Sequence, residues 1–232
     1  MISRAAIVIL TFFSSIRQLS TLRQVSHLPV TAVCSKVSKF SNIFEVAIET
    51  EKKFRLDPKQ FAKLPGRLKK IGAVFAGEDF EENYLHRGGV LDDRDAVLRL
   101  RKTENKTTIT YKESLPSVSD VKHKTEFETE VSDVNEMEEI IRMLGYRLSI
   151  VYEKRRRTWR LGKVEIMLDE LPFGLFMEIE GTPRSIAVVE KRLAIKKLIP
   201  ELRGYPRLTI KYGRMKKSVM EARFKRNGNG KK

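Results

Sequence analysis

Cysteine is nearly missing from this chain: Cys34 is the only one in 232 residues. That excludes a disulfide framework and any cysteine-based metal centre. Histidine is scarce as well, and His27, His86 and His123 are scattered, so a histidine-ligated metal is not expected. A metal bound here would have to be held by carboxylates, which select hard cations such as Mg2+ or Mn2+. The apolar run Ala5–Phe13 is too short to span a bilayer, and no membrane span is expected. Acidic residues are absent from the first 44 positions altogether.

That last absence changes the meaning of the net charge of +16. Residues 1–44 carry five Lys or Arg and no acid, and residues 203–232 carry eleven Lys or Arg against one Glu. The stretch between them holds 30 basic and 29 acidic residues, a net of +1. The basic character therefore lives at the two ends, and no specific nucleic-acid partner is expected of the middle. The Ser-, Thr- and Arg-rich, acid-free start has the composition of an organelle transit peptide, most simply mitochondrial. A secretory signal with Ala32-Val33-Cys34 near its cleavage point is the alternative. The expected organisation is a presequence over 1–44, a domain over 45–213 and a basic, disordered tail over 214–232.

Within the domain, short strand-like stretches dominate. "IETEKKFRL" (Ile48–Leu56) is followed by Asp57-Pro58, an N-cap with proline at the first helical position. That helix is expected to break at Pro65-Gly66, restart, and close at Gly72. Strands are expected at Glu82–His86, Ala96–Lys102, Thr107–Lys112, Lys124–Val131, Leu148–Leu161, Lys163–Leu168 and Leu175–Glu180. Asp133, with Glu136 three residues on, opens a helix to Gly145, and Thr182-Pro183 opens one to about Leu198. Mostly β with hairpin-length connections points to an α+β protein built on an antiparallel sheet or barrel.

The strands share one unusual pattern. With a period of two, the polar faces are almost purely charged, and they sort into rows of acid and rows of base. Glu49, Glu51, Lys53 and Arg55 share a face of the first strand; Arg99 and Arg101 share one in "VLRLRK". Lys112 lies in "TITYK", Glu126, Glu128 and Glu130 in "TEFETEV", and Lys154 and Arg156 in "YEKRRRTW". Asp169 follows Glu165 in "VEIMLDE", and Glu178 and Glu180 share a face of "FMEIEG". The opposite faces are largely aliphatic and give the helices a surface to cover. The charged faces then fall inside a closed or strongly curved sheet.

Such an interior would repel itself, since two like charges ~5 Å apart cost about 3 kcal/mol at an effective dielectric of ~20. An internal lattice of salt bridges is one way to offset this, although buried ion pairs rarely repay their desolvation. The other is a ligand: divalent cations among the carboxylates and a polyphosphate across the bases, the recurring arrangement of phosphoryl transfer.

The order of motifs resembles the CYTH superfamily, the triphosphate tunnel metalloenzymes. "ETEKK" from Glu49 to Lys53 resembles its ExExK signature. "VLRLR", "TITYK", "EFETEV", "EKRRRTW" and "EIMLDELPFGLFMEIEG" follow in the family's order over about residues 45–205. The resemblance implies a closed eight-stranded antiparallel β-barrel forming a tunnel, with helices outside. It also implies metal-binding or water-positioning roles for Glu49, Glu51, Asp169, Glu178 and Glu180. Lys53, Arg99, Arg101, Lys112, Lys154 and Arg156 become the phosphate cradle, and Glu126, Glu128 and Glu130 further tunnel carboxylates. His86-Arg87 departs from the family pattern, where an aspartate in a longer loop is usual.

The resemblance implies metal-dependent hydrolysis of a small triphosphate: inorganic tripolyphosphate, thiamine triphosphate or a nucleoside triphosphate. An adenylate cyclase acting in the same tunnel is the second reading, and a non-catalytic polyphosphate-binding module the third. The cradle reads the triphosphate and not what is attached to it, so these motifs leave the first two open, along with monomer against homodimer.

Overall fold

The structure, a computed structural model, describes residues 48–115, 122–195 and 197–225. The presequence expected over 1–44 lies outside the described residues. In chain order the elements are β1 (Ile48–Leu56), α1 (Pro58–Lys70), β2 (Val74–Arg87), α2 (Val90–Asp93), β3 (Ala96–Lys102), β4 (Thr107–Leu115) and β5 (Lys122–Glu130). Then come α3 (Val134–Met143), β6 (Arg147–Leu161), β7 (Val164–Leu171), β8 (Gly174–Glu180), α4 (Pro183–Arg192), α5 (Tyr205–Tyr212), β9 (Arg214–Lys216) and β10 (Val219–Ala222).

The result is an antiparallel, sheet-rich α+β fold. Strands neighbour one another in the order β2-β3-β4-β5-β1-β8-β7-β6-β10-β9, and β2 pairs with β6 as well as with β3. The β2–β6 ladder is the longest, running from Val74 opposite Arg160 to Arg87 opposite Arg147. β1 divides its length, pairing with β5 over Ile48–Glu51 and with β8 over Glu51–Leu56.

The aliphatic faces do look away from the charged ones. Phe54 of β1, Ile166 and Leu168 of β7, and Met177 and Ile179 of β8 pack in one cluster with Leu64 and Leu68 of α1 and Ile186 and Val189 of α4. Full burial of such side chains stabilises by about 1.5–3 kcal/mol each, so these two helices fix which face of the sheet points inward. α1 starts on a capping box: the Asp57 carboxylate accepts from Gln60 N at 2.7 Å, and the Gln60 side chain accepts from Asp57 N at 2.9 Å.

Several expectations are corrected. α1 runs unbroken through Pro65 to Lys70, because Leu64 and Leu68 are anchored on the sheet and outweigh the lost backbone bond. β2 begins at Val74, not Glu82, and continues through Arg87, one residue past the expected end at His86. Gly77, at a register shift against β6, interrupts the alternation that would have revealed this. α4 ends at Arg192, short of Leu198.

The tail expected to be disordered from 214 on instead continues as β9 and β10. β7 pairs with β6 only from Arg155 onward, leaving an open edge, and β10 adds there in parallel, with Met220 opposite Ile150 and Ala222 opposite Tyr152. Arg223 then reaches Glu82 at 3.0 Å and Glu153 at 3.1 Å, and Phe224 N donates to Glu153 at 2.7 Å. An unpaired strand edge is a liability that this hairpin covers.

Candidate functional site

The inward faces line a cavity of about 480 Å³, within the range of small-molecule sites. Its described lining includes nine bases, Lys53, Arg87, Arg99, Arg101, Lys112, Lys124, Lys154, Arg156 and Arg207. Four acids, Glu51, Asp95, Glu178 and Glu180, line it with them. The excess of positive charge suits an anion. All six residues of the expected phosphate cradle are in this wall, together with Glu51, Glu178 and Glu180.

Glu49 sits in β1 two positions before Glu51, in register with Lys124 of β5. Asp169 is not in the cavity wall. It is fully buried beneath Arg156, whose Nε and Nη2 donate to its two oxygens at 2.7 and 2.6 Å, and it also accepts from Tyr205 Oη at 2.7 Å. With its oxygens engaged in this way, Asp169 supports Arg156 from outside the cavity wall. Glu178 is likewise bridged, to Lys53 at 3.0 Å and to Arg156. Burial pushes its carboxyl up, but the charges of Lys53 and Arg156 outweigh that and hold it well below the usual range.

The β5 carboxylates spread along the wall's edge. Glu126 meets Lys112 at 2.7 Å, and Glu128 accepts from the Thr110 hydroxyl at 2.7 Å and from Arg99 at 3.4 Å. Glu130 is exposed beside Lys106. Lys52 and Arg155, on the opposite faces, point outward: Lys52 pairs with Glu190 of α4 at 2.9 Å, and Arg155 lies near Glu170 and over the Phe224 ring.

Four participants escaped the sequence reading. Glu81 of β2 is buried among Lys154 at 3.2 Å, Arg101 at 3.3 Å and Arg156 at 3.8 Å. The strand was expected to start one residue later. Lys124 reaches Glu51 at 2.8 Å, and it shares the parity of Glu126, which was signal enough. Arg87 and Arg207 meet at Asp95, 3.9 and 3.1 Å away, and no local motif announces that meeting.

Two groups, the buried Lys154 and the half-buried Glu180, show what the crowding does. Burial pushes the Lys154 ammonium down, helped by the like charge of Arg156 and resisted by Asp169 and Glu81, to about 8. Burial also pushes the Glu180 carboxyl up; Lys112 opposes this, while Glu165, Glu126 and Glu51 add to it. Glu180 stands opposite Glu51 in the β1–β8 register. This pair, two facing carboxylates with Lys124 on Glu51, is the part of the wall whose oxygen donors fit a hard divalent cation. Among the described residues no group of three or more His, Cys, Asp or Glu is placed to hold a metal ion, so the pair fits only as part of a coordination shell.

The model of the CYTH domain matches residues 47–204. The chain belongs to the CYTH family. Among curated proteins, this CYTH chain is 30% identical over 150 residues to a Methanocaldococcus jannaschii protein provisionally named an adenylate cyclase; the match covers 63% of this chain and 83% of that one. A solved Pyrococcus horikoshii protein is similar in structure, with a TM-score of 0.60 and 29% identity, covering 69% of this chain and 98% of that one. A Hippeastrum protein, named an adenylyl cyclase candidate and described as having a dominant triphosphatase activity, shares the fold at a TM-score of 0.52 and 20% identity. That match covers 67% of this chain and 91% of the other. Among the described residues no helix is long and apolar enough to cross a membrane.

Proposed function

We propose that the protein hydrolyses a small triphosphate, with a divalent cation, inside a closed eight-stranded β-barrel. The pairing of β2 with both β3 and β6 supports closure. The observation that carries the activity is the wall itself: six bases from β1, β3, β4 and β6 facing one cavity, with carboxylates on its β1–β8 side.

In this reading Lys53, Arg99, Arg101, Lys112, Lys154 and Arg156 hold the phosphate oxygens of tripolyphosphate, thiamine triphosphate or a nucleotide. A water oxygen bonds to the terminal phosphorus as the bridging P–O bond breaks, and the cradle meets the charge that builds on the departing oxygens. Glu51 and Glu180, with Glu49 earlier on the same strand, would hold Mg2+ or Mn2+. The cation supplies charge neutralisation on the phosphate oxygens.

A second reading, cyclisation of ATP, is favoured by the provisional name of the Methanocaldococcus relative. Hydrolysis is preferred because water needs no nucleoside recognition, and the aromatic rings in the wall, Tyr152 and Tyr205, are buried and not offered for stacking. The deciding experiment incubates the protein with ATP, tripolyphosphate and thiamine triphosphate in Mg2+ or Mn2+, scoring phosphate against cyclic AMP. Phosphate release supports hydrolysis, cyclic AMP supports the second reading, and neither product leaves only a binding module.

A further inference from the structure

Tyr205 lies just past the stretch matched to the family, at the first position of α5. Gly204 precedes it and Pro206 follows, so the helix begins abruptly and delivers this side chain into the sheet's interior. It is 5% exposed, and its ring is wedged against Phe176, with centroids 5.4 Å apart, and Tyr152 at 6.0 Å. A ring so confined has little rotational freedom.

Two different parts of that ring touch the site. The hydroxyl donates to Asp169 Oδ2 at 2.7 Å, and Asp169 in turn accepts two bonds from Arg156. The ring face lies 3.8 Å beneath Lys53 Nζ and 5.3 Å from Lys154 Nζ, both within cation–π range. Burial and the nearby carboxylates hold the hydroxyl proton on, so it stays a donor. Arg156, Lys53 and Lys154 line the cavity together with Tyr205, whose hydroxyl is taken up by Asp169, a residue outside the lining.

We propose that Tyr205 is a positioning residue of the phosphate cradle, acting through Asp169 on the guanidinium of Arg156 and through its ring face on Lys53 and Lys154. The inference rests on reading the cavity as a polyphosphate site. Without the hydroxyl, Asp169 loses one of its donors, and the fork that holds Arg156 loses one of its supports while the Glu178 contact remains. Without the ring, two lysines crowded by like charge lose the surface that holds them.

The test measures tripolyphosphate affinity by calorimetry, and kcat and KM where turnover is seen, for the wild type, Tyr205→Phe, Tyr205→Leu and Thr209→Val. Thr209 is buried on the same helix and bonds back to the Tyr205 carbonyl at 2.8 Å, but does not touch the cavity. Losing a hydrogen bond to a charged group corresponds to about tenfold, so Tyr205→Phe should bind about tenfold more weakly with a melting temperature near wild type. Tyr205→Leu should lose several-fold more, and Thr209→Val should keep affinity even where it lowers melting. Wild-type affinity in Tyr205→Phe, or equal losses in Thr209→Val, overturns the inference alone. A wild type that binds no tripolyphosphate removes the reading of the cavity and this inference with it.

Discussion

Lys154 Nζ lies 3.2 Å from Glu81 Oε2, and both side chains are sealed from solvent. Lys154 lines the cavity, and Glu81, which does not, is buried against it. Arg101 and Arg156 approach the same carboxylate, so Glu81 is the counter-ion for three cations that the strands force together.

Glu81→Gln should therefore destabilise the protein. Removing one partner of a buried ionic network costs about 3–5 kcal/mol. The pH dependence follows from the direction of the shift: burial pushes the Glu81 carboxyl up, but Lys154, Arg101 and Arg156 outweigh it and hold it far below its ordinary value of 4.5. A carboxyl depressed on folding contributes its stability above its unfolded value and loses it as pH falls toward the folded value. The gap in thermal melting between wild type and Glu81→Gln should be full above 4.5 and shrink in stronger acid. A gap that is flat with pH would mean Glu81 is not charged in the fold.

Lys154 should make anion binding sensitive to alkali. Its ammonium, pushed down to about 8, is charged below that pH and neutral above it. Calorimetric affinity for tripolyphosphate should fall between about pH 7 and about pH 9.5, with proton uptake on binding in that range. Lys154→Arg keeps its charge throughout, and its profile should be flat. If wild type and variant share the same slope, another group is responsible.

The two faces of the sheet should separate functionally. Arg99→Ala and Lys112→Ala remove contacts to phosphate, each worth about ten- to a hundredfold in kcat/KM. Lys52→Ala and Arg155→Ala remove outward partners, Glu190 and Glu170, and should leave kcat/KM unchanged. Equal losses from both sets would invert the assignment of the faces.

Much of this site could be read from periodicity, because charged residues at alternate positions over seven strands leave few ways to fold. What escaped did so for identifiable reasons. Glu81 lies in the half of β2 where Gly77 and a register shift break the alternation. Tyr205 carries no pattern, since its role depends on a short helix delivering one ring to a carboxylate 36 positions earlier. Asp169 looked like Glu178 in sequence, and only the fork of Arg156 separates a buried support from a cavity wall. β10 escaped because parallel addition to an open edge depends on where β7 stops pairing, a property of a different part of the chain.

Residues 1–44 are proposed to direct the chain to mitochondria, on their Arg- and Ser-rich, acid-free composition. A reporter fused behind them should co-localise with a mitochondrial marker. Secretion of the reporter would favour the signal-peptide alternative, and a diffuse signal would overturn both.

The two parts of the former tail should behave differently on truncation. A chain ending at Lys225 keeps β10 and the Arg223 bridges to Glu82 and Glu153. It should retain its melting temperature and its kcat/KM. A chain ending at Gly213 uncovers the β6 edge at Ile150–Tyr152. It also leaves Glu153 without its Arg223 and Phe224 partners although that carboxylate is 4% exposed. It should melt lower and aggregate, as open edges do. Gly213 gives a point-mutation version of the same test, because a Cβ there would meet Thr209 O at 2.5 Å and Glu221 O at 2.7 Å. Both are backbone atoms, so neither can swing aside, and Gly213→Ala must push the hairpin off α5. That variant should reproduce the lower melting of the Gly213 truncation, and a normal melting temperature in both would show that β10 adds nothing to the sheet.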